Sequence, residues 1–440
     1  MYPGTIVLSG DAGRGVDIEA ELLFVDANTS MLKLTATNTG SEAVAGARFV
    51  YGGTATNLTQ AADDPAGVRL QGVDFALPNR NLPGPCFSPD VFTAGGIRFA
   101  PFVSGGAGGG AALKWDVTLV ANGAFTASSP LGAPLEAGQS ASTYAVVSSV
   151  TPTLPSATKG FGHLLGSAHA ADGAFNSSIA RWTSYLDAVL RGKPDAPEPA
   201  PALDADMQWL SVKAMETLLN NWRVVPGVGE GVLPSYNGYD SGMWSWDTYK
   251  QAVGMAPFAP TLAKNQLRVL VAGRDFKTDH IPDKVDRCGV GGGCAGKPPL
   301  LSWSVWEVYN QTGDKAFLAE MYPVIDGFHR FWYARRDTLG VGLCSWTGGM
   351  ESGMDDGVRF DHAQSVSNKT TGVSSFNFHS IDLNAYLYRE KRTLAKMAAV
   401  LGNTSGATHW KAQADDLLPR LQQHFFRPDP SGKGGFFQDR

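Results

Sequence analysis

The chain has 440 residues, of which 18% are charged, and its formal net charge is −5. That length predicts two or three domains, and the slight acidity excludes the basic face that a nucleic-acid backbone needs. No apolar run reaches the roughly 18 to 20 residues that span a bilayer, so we expect a soluble protein without a membrane partner.

Residues 1–150 show the period-two pattern of β-strands. Apolar side chains recur at alternate positions from Val16 to Phe24 and from Leu32 to Ala36, and Thr143 to Ser148 predicts a further strand. Turns rich in Asn, Ser and Gly separate these runs. The pattern predicts an antiparallel β-sandwich in this first domain.

Residues 151–203 are predicted to be a connector. An apolar stripe predicts one helix from Ala174 to Arg191. The following stretch, 193–201, contains four prolines, which favour extended backbone and predict a stiff linker. We therefore place a domain boundary near residue 203.

Residues 204–440 change to the 3.6-residue period of helices. The first predicted apolar face is Met207, Leu210, Ala214 and Leu218. Further helices are predicted at Ser302–Asn310, Lys315–Arg335, Ile381–Leu401 and Thr408–Phe425. The predicted fold class is a multi-domain β + α chain, in which the sandwich precedes an incomplete (α/α)6 toroid. A twelve-helix toroid takes on the order of 400 residues, and 204–440 supplies 237.

One stretch, Ser241 to Lys250, combines a carboxyl group with several aromatic rings. Asp247 lies among Trp244, Trp246 and Tyr249. Flat aromatic faces pack on the C–H faces of sugars, and a carboxyl group desolvated by indoles acquires the raised pKa that a general acid needs. The stretch therefore predicts a sugar-cleaving site. The alternative is that Asp247 caps a helix and the tryptophans belong to the core.

The cysteines and histidines give no metal-site pattern. Cys288 and Cys294 are the two cysteines close in sequence, and a small disulfide loop and free thiols are both open for them. The eight histidines form no His-x-x-x-His pair, so we predict no bound metal and no cofactor. A calcium site at Asp275 and Asp279, or at Asp355 and Asp356, is a further alternative, although neither pair fits an EF-hand loop.

Two acidic motifs carry a resemblance to a known family. They are Trp-Ser-Trp-Asp-Thr-Tyr-Lys, which ends at Lys250, and Met350 to Phe360, and further matching stretches are 277–284, 298–310 and 381–386. Together with the order of sheet, linker and helices, they resemble glycoside hydrolase family 63 and its bacterial relatives, including mannosylglycerate-hydrolase-like enzymes.

The resemblance implies an inverting, exo-acting α-glycosidase that cleaves an α-glucoside or a related α-glycoside or oligosaccharide. Asp247 would be the general acid. Glu351 and Asp355 would accept hydrogen bonds from sugar hydroxyls, and Arg359 would hold the loop or an adjacent carboxylate. The resemblance to bacterial members also suggests a periplasmic or secreted location.

Other aromatic side chains are candidates for sugar contacts. Tyr236 and Tyr239 lie in a Gly-rich loop just before the acid motif and are predicted to border the aglycone side. Trp346, which precedes the second motif, is predicted to stack on sugar or to pack internally. Trp303 and Trp306 recur at helical spacing and are predicted to belong to the core.

An inverting enzyme needs a second carboxylate, roughly 6.5 to 9.5 Å from the acid, to activate water. In the family this base lies in a late motif that contains a glutamate, and we expect it beyond residue 440. The chain as written is therefore expected to be inactive or nearly so. Were it active, Glu351 would be the first candidate for a substitute base.

Two other functions use the same features. A glycoside phosphorylase would replace the base with a phosphate pocket, and its turnover would require phosphate. A non-catalytic carbohydrate-binding protein or degenerate enzyme would keep the aromatic site without releasing sugar.

Overall fold

The structure is a computed structural model. It describes residues 5–25, 29–54, 58–60, 69–73, 94–100, 102–104, 112–119, 124–149, 164–191, 203–225, 229–234, 242–286, 289–290, 296–367 and 374–440. The chain divides into two compact units, Met1–Arg191 with Ala202–Val212 and Gly192–Pro201 with Lys213–Arg440. The predicted connector limits, residues 151 and 203, remain predictions, because most of the two stretches that contain them lies outside the described residues.

The first unit contains two antiparallel sheets. Its strands are β1 (Thr5–Asp11), β2 (Val16–Phe24), β3 (Thr29–Asn38), β4 (Arg48–Thr54), β5 (Leu58–Gln60), β6 (Arg69–Val73), β7 (Ala94–Phe99), β8 (Asp116–Leu119), β9 (Ala124–Pro130) and β10 (Ser140–Ser149). Seven strands pair in the order β1-β2-β3-β10-β7-β6-β5, and three pair in the order β4-β9-β8. The predicted strands at 16–24, 32–36 and 143–148 are confirmed as parts of β2, β3 and β10.

The seven-stranded sheet buries apolar side chains on both faces. On one face, residues of β7 and β10 share a core with Phe49 and Phe125 of the three-stranded sheet. On the other face, Tyr144 and Leu23 pack against Phe175 of α1 (Ala168–Arg191). The alternation along β10 explains this division, since Ala145 and Tyr144 point to opposite faces. Helix α1 begins six residues before the predicted start.

The second unit is mainly helical. Its helices are α3 (Ser245–Met255), α4 (Pro260–Ala272), α5 (Leu301–Thr312), α6 (Lys315–Arg336), α7 (Gly349–Ser352), α8 (Ile381–Val400) and α9 (Thr404–Phe425), and α2 (Ala205–Asn220) extends into it from the first unit. Short strands accompany them: β11 (Trp222–Val225), β12 (Gly229–Val232), β13 (Gly242–Trp244), β14 (Lys284–Asp286), β15 (Gly289–Val290), β16 (Ser365–Ser367), β17 (Ser374–Phe376), β18 (Phe426–Pro428) and β19 (Gly435–Phe437). They form the pairs β11-β12, β16-β17 and β18-β19 and the three-stranded sheet β13-β14-β15. The four later predicted helices are confirmed, with α9 beginning four residues early.

The predicted apolar face of α2 is wrong in its register. Met207 and Leu210 are exposed, whereas Met215 is buried. Leu218 contacts Gly254 of α3. The face that contacts neighbouring helices is therefore defined by Met215 and Leu218, because the contact with α3 sets the rotation of the helix.

The helices of the second unit follow one another as hairpins. Gly313 ends α5, and the Asp314 carboxylate accepts a hydrogen bond from Phe317 N at 3.0 Å and so caps α6. Asn403 caps α9 in the same way. Helices α3, α5 and α8 contact one another in sequence, while α4, α6 and α9 each pack beside the preceding helix. An antiparallel β region followed by a helical region is thus confirmed, and closure into a sandwich and a toroid remains a prediction.

Within the described stretches, no helix combines the length and apolarity that crossing a bilayer requires.

Candidate active site

Asp247 lies in the first turn of α3, directly after β13. The strand is fixed by pairing with β14, in which Trp244 opposes Lys284, and by a hydrogen bond from Ser245 N to Asp283 O at 2.9 Å. Trp244 occupies the N-cap position without a side-chain cap. This strand-to-helix junction places Asp247 near the positive end of the helix dipole.

Burial raises the pKa of Asp247 above its usual range. The opposing influences are the Lys250 ammonium, the backbone N–H of Asp247, the Lys297 ammonium and the Trp246 side chain, and desolvation exceeds them. The carboxyl group is half-buried. The raised pKa makes it a candidate proton donor.

Lysine side chains lie over the rings of Trp244 and Trp246, the two tryptophans that precede Asp247 in the motif. Lys250 Nζ lies 3.4 Å from the centroid of the Trp246 ring. Lys284 Nζ and Lys297 Nζ lie 5.5 and 5.7 Å from the Trp244 ring. These are cation–π distances, so the surroundings of Asp247 are both aromatic and electropositive. Tyr249, the third aromatic residue of the motif, is buried in the helical core.

The two acidic motifs meet at Gly353. This residue ends α7 with φ of 72°, and a Cβ atom built on it would lie 2.4 Å from Cη2 of Trp246. Glycine is required there both for its left-handed conformation and for the space that the indole occupies. The sequence motifs therefore belong to one site.

Lys297 lies beside Trp244 of the first motif and forms a hydrogen bond with the second motif. It is 4% exposed, and its ammonium donates to the carbonyl oxygen of Met350 in α7. Its Nζ also lies 3.9 Å from Oδ1 of Asp355, whose side chain is 55% exposed. The buried cation thus stands between the acid motif and the exposed carboxylate of the second motif.

Glu351 is enclosed within the protein. It is 0% exposed, and Arg336 donates from Nε and Nη2 to its Oε1 at 3.0 and 2.6 Å. Thr347 N, at 2.8 Å, and the Thr347 hydroxyl donate to Oε2, and Gly296 N donates to Oε1. The predicted contact with sugar hydroxyls and the role of a substitute base do not fit this geometry, because both carboxylate oxygens already hold protein donors.

His280 is a buried residue of this region that sequence reasoning did not single out. Its ring stacks on Phe331 with centroids 4.4 Å apart. Burial, followed by the charge of Arg336, lowers its pKa to about 4, against the opposing charges of Glu351 and Asp275. His280 lies inside the stretch 277–284 that resembles the family, and this resemblance is the sequence feature that could have identified it.

Trp346 is also internal. It is 0% exposed, its Nε1 donates to Oδ1 of Asp382 at 3.0 Å, and its ring meets that of Trp332 edge-on. Of the two predicted roles, the geometry fits packing and leaves no face for a sugar.

Arg359 connects the second motif to the last residues of the described chain. Its Nη1 donates to Oδ2 of Asp439 at 3.1 Å, and its Nη2 donates to Oδ2 of Asp382. Asp439 also accepts a hydrogen bond from Ile381 N at 2.8 Å. Arg359 thus holds two adjacent carboxylates at the start of α8.

Comparison with known families agrees with this grouping of motifs. Residues 240–440 match a family model described as the mannosylglycerate hydrolase MGH1-like glycoside hydrolase domain. The matched segment contains Asp247, Lys297, Glu351 and Asp355. Residues 240–440 are therefore similar to this glycoside hydrolase domain.

A curated relative of the glycoside hydrolase domain is a trehalase from Dictyostelium discoideum. It is 24% identical over 178 residues, which are 30% of this chain and 30% of the length of that trehalase.

Solved structures of a GH63 mannosylglycerate hydrolase from Thermus thermophilus are also similar. The match with the complex with Tris and D-glycerate is 19% identical and has a TM-score of 0.41, and it covers 52% of this chain and 67% of the chain in that structure. The complex with glucose is 18% identical, covers 52% and 66%, and has a TM-score of 0.40.

Some residues singled out in the sequence lie outside the described residues. These are Tyr236, Tyr239, Cys288 and Cys294. At the first candidate calcium site the carboxylates already have partners, since Asp275 accepts from Lys277 N and the Thr278 hydroxyl and Asp279 lies 3.6 Å from Arg274. At the second, Asp355 lies 3.9 Å from Lys297. Over the described ranges, no three ligand-type side chains converge on a point where a metal ion could bind.

Proposed function

We propose that this chain belongs to an inverting, exo-acting α-glycosidase that cleaves an α-glucoside or a related α-glycoside, with Asp247 as the general acid. The observation that carries this proposal is the half-buried Asp247 carboxyl, with a raised pKa, between two tryptophans at a strand-to-helix junction. The family of residues 240–440 supports glycosidic bond hydrolysis, and the resemblance to family 63 supports inversion.

In this mechanism Asp247 donates its proton to the glycosidic oxygen as the bond to the anomeric carbon breaks. Desolvation raises the pKa of the carboxyl and so favours its protonated form, and the Lys250 and Lys297 ammonium groups stabilise the carboxylate that forms. In this proposal the exposed Asp355 accepts hydrogen bonds from sugar hydroxyls and so restrains the sugar ring. Trp244 and Trp246 supply the apolar face on which the sugar packs.

Glu351 and Arg336 have a supporting role in this proposal. Their buried ion pair fixes residues 296, 347 and 351, and it thereby places Lys297 and the α7 turn against Trp246. Such a scaffold holds reacting groups at the short distances that catalysis needs. The proposal assigns no general base to the described residues.

Proton NMR of a digest of α-glucosyl disaccharides tests this function. The gene product that carries this chain should release glucose first as the β anomer, and Asp247→Asn should reduce kcat/KM by roughly 10²- to 10⁴-fold. Lys284→Gln, which alters a lysine that contacts the same tryptophan, is the matched control and should retain most of the activity. Release of the α anomer, or an unaffected Asp247→Asn variant, would contradict the proposal.

A glycoside phosphorylase is the second candidate. The observation that favours it is the group of three lysine ammoniums around Trp244 and Trp246, since phosphate binding needs such cations. Running the same digest with and without inorganic phosphate separates the two reactions. A phosphorylase forms a sugar phosphate only when phosphate is present, whereas a hydrolase is indifferent to it. Sugar binding in calorimetry without either product would indicate a non-catalytic protein.

A further inference from the structure

A second cluster of ionisable side chains lies where α6, α8 and α9 pack together. His329 belongs to α6, and Glu390 and Lys391 are consecutive residues of α8. All three are buried, with exposed fractions of 2%, 0% and 5%. Burying an ionisable group lowers the free energy of unfolding, so a buried cluster of three is a candidate functional site.

The three side chains form a relay. His329 Nδ1 lies 2.7 Å from Oε2 of Glu390, and His329 Nε2 lies 3.0 Å from Nζ of Lys391. Burial, reinforced by the charges of Lys391 and Arg330, lowers the pKa of His329 well below its usual value, so the imidazole is neutral. When Glu390 is ionised, the neutral ring donates its Nδ1–H to Glu390 and presents the lone pair of Nε2 to the lysine. Burial raises the pKa of Glu390, so this arrangement is favoured by alkaline pH. This is the geometry of a nucleophile, a base and a group that orients the base.

The environment of Lys391 favours the neutral amine. Burial lowers the pKa of Lys391 to about 8, and the charge of Arg420 on α9 acts in the same direction. Glu390, Cys344 and Asp416 oppose the shift and do not reverse it. At about pH 8, roughly half of such amines are neutral, compared with about 0.4% for a lysine with the usual pKa near 10.4.

The amine faces a cavity of about 560 Å³ between α6 and α9. Tyr333 and Trp410 form aromatic walls, and Lys391 Nζ lies 4.4 Å from the centroid of the Tyr333 ring. The charged lining consists of Arg330 and Arg420 against the carboxylate of Asp416, apart from Lys391 itself, whose amine is neutral when it reacts. Arg330 also donates a hydrogen bond to Asp326. A small molecule that carries a negative charge fits this balance.

We propose that Lys391 is an activated amine that captures small anionic aldehydes as Schiff bases, with His329 as the base and Glu390 as the group that orients it. The nitrogen lone pair of Lys391 attacks the carbonyl carbon, and His329 transfers the proton lost by nitrogen to the carbonyl oxygen. The resulting hydroxyl leaves as water when the C=N bond forms. No oxidant or reductant takes part, and the site is independent of the proposed glycosidase activity.

Reductive labelling with glyoxylate tests the proposal on the unmodified protein. Cyanoborohydride reduces each imine to a stable amine, and peptide mass mapping then gives the rate of modification at every lysine. At about pH 8, Lys391 should be labelled at least ~10-fold faster than the exposed Lys433, and the rate at Lys391 should level off above about pH 8, where most of its amine is neutral. Equal or slower labelling of Lys391 would overturn the proposal.

Glycolaldehyde, a neutral aldehyde of similar size, provides the matched probe. It should label Lys391 more slowly than glyoxylate does, with no such preference at Lys433; the same preference at both lysines would overturn the assignment to anionic aldehydes. His329→Gln and Glu390→Gln should bring the rate at Lys391 down towards that of Lys433 in variants whose circular dichroism matches the parent. Full reactivity in a folded His329→Gln variant would contradict the role of His329.

Discussion

At the residue scale, the site depends on ionisable groups that the protein has buried and paired. Arg336 donates three hydrogen bonds to Glu351, and the two side chains are 5% and 0% exposed, respectively. Asp247 keeps a raised pKa although two lysines lower it. His280 is held neutral beside Arg336. Stability or activity therefore depends on the ionisation of each of these groups.

Removing one partner of the buried pair should be costly. Arg336→Met leaves the Glu351 carboxylate buried without its cation, and we expect the free energy of unfolding to fall by roughly 3 to 5 kcal/mol. Arg268→Met is the control, because its pair with Glu320 is about 40% exposed, and we expect a loss of about 0 to 1 kcal/mol. Urea denaturation measures both. Equal losses in the two variants would show that the buried Glu351–Arg336 pair contributes no more to stability than the exposed pair does.

The depressed pKa of His280 predicts a pH dependence of stability. The unfolded state, with a histidine pKa near 6.5, binds more protons than the folded state, in which the pKa is about 4. This contribution to stability is therefore complete above pH 6.5 and is lost as the pH falls towards 4, by up to about 3 kcal/mol. His280→Phe keeps a ring on Phe331 and should flatten the pH dependence over that interval. An unchanged slope would contradict the assignment.

At the element scale, the convergence of α3 and α7 on one glycine organises the site. Trp246 occupies the space beside Gly353, and Lys297 ties the segment before α5 to the same turn. Neither motif shows in sequence that it touches the other. The contact therefore predicts that α7 and the start of α3 respond together to mutation.

Gly353→Ala should damage both stability and the site. The left-handed φ costs about 1 to 2 kcal/mol for alanine, and the added methyl displaces the Trp246 indole next to Asp247. We expect kcat/KM of the gene product to fall by roughly 10²-fold, as for a 1 Å misplacement of a reacting group. Gly313→Ala is the control, since it has a similar φ of 66° and open space around its Cβ position. It should lose stability alone.

At the scale of the whole molecule, periodicity predicted the order of sheets and helices, because the patterns of 2 and 3.6 residues follow directly from which face is buried. The predicted start of α6 agrees with its cap, Asp314. Helix α9 begins behind its cap, Asn403, four residues before the predicted start, because the apolar stripe used for the prediction begins later than the cap. The interior roles of Glu351 and Trp346 were not readable, since burial of a polar group depends on distant partners such as Arg336 and Asp382. The Glu390 relay joins residues about 60 positions apart, and no local pattern indicates it.

The assignment of Asp247 as the proton donor is tested most directly by changing the leaving group. Fluoride needs no general acid, so Asp247→Asn should hydrolyse α-glucosyl fluoride nearly as fast as the parent while losing roughly 10²- to 10⁴-fold on disaccharides. Asp355→Asn, which removes a predicted sugar contact, should lose activity on both substrates to the same extent. If Asp355→Asn instead retains the fluoride reaction and Asp247→Asn loses both, the proton donor is Asp355 and the central assignment is wrong.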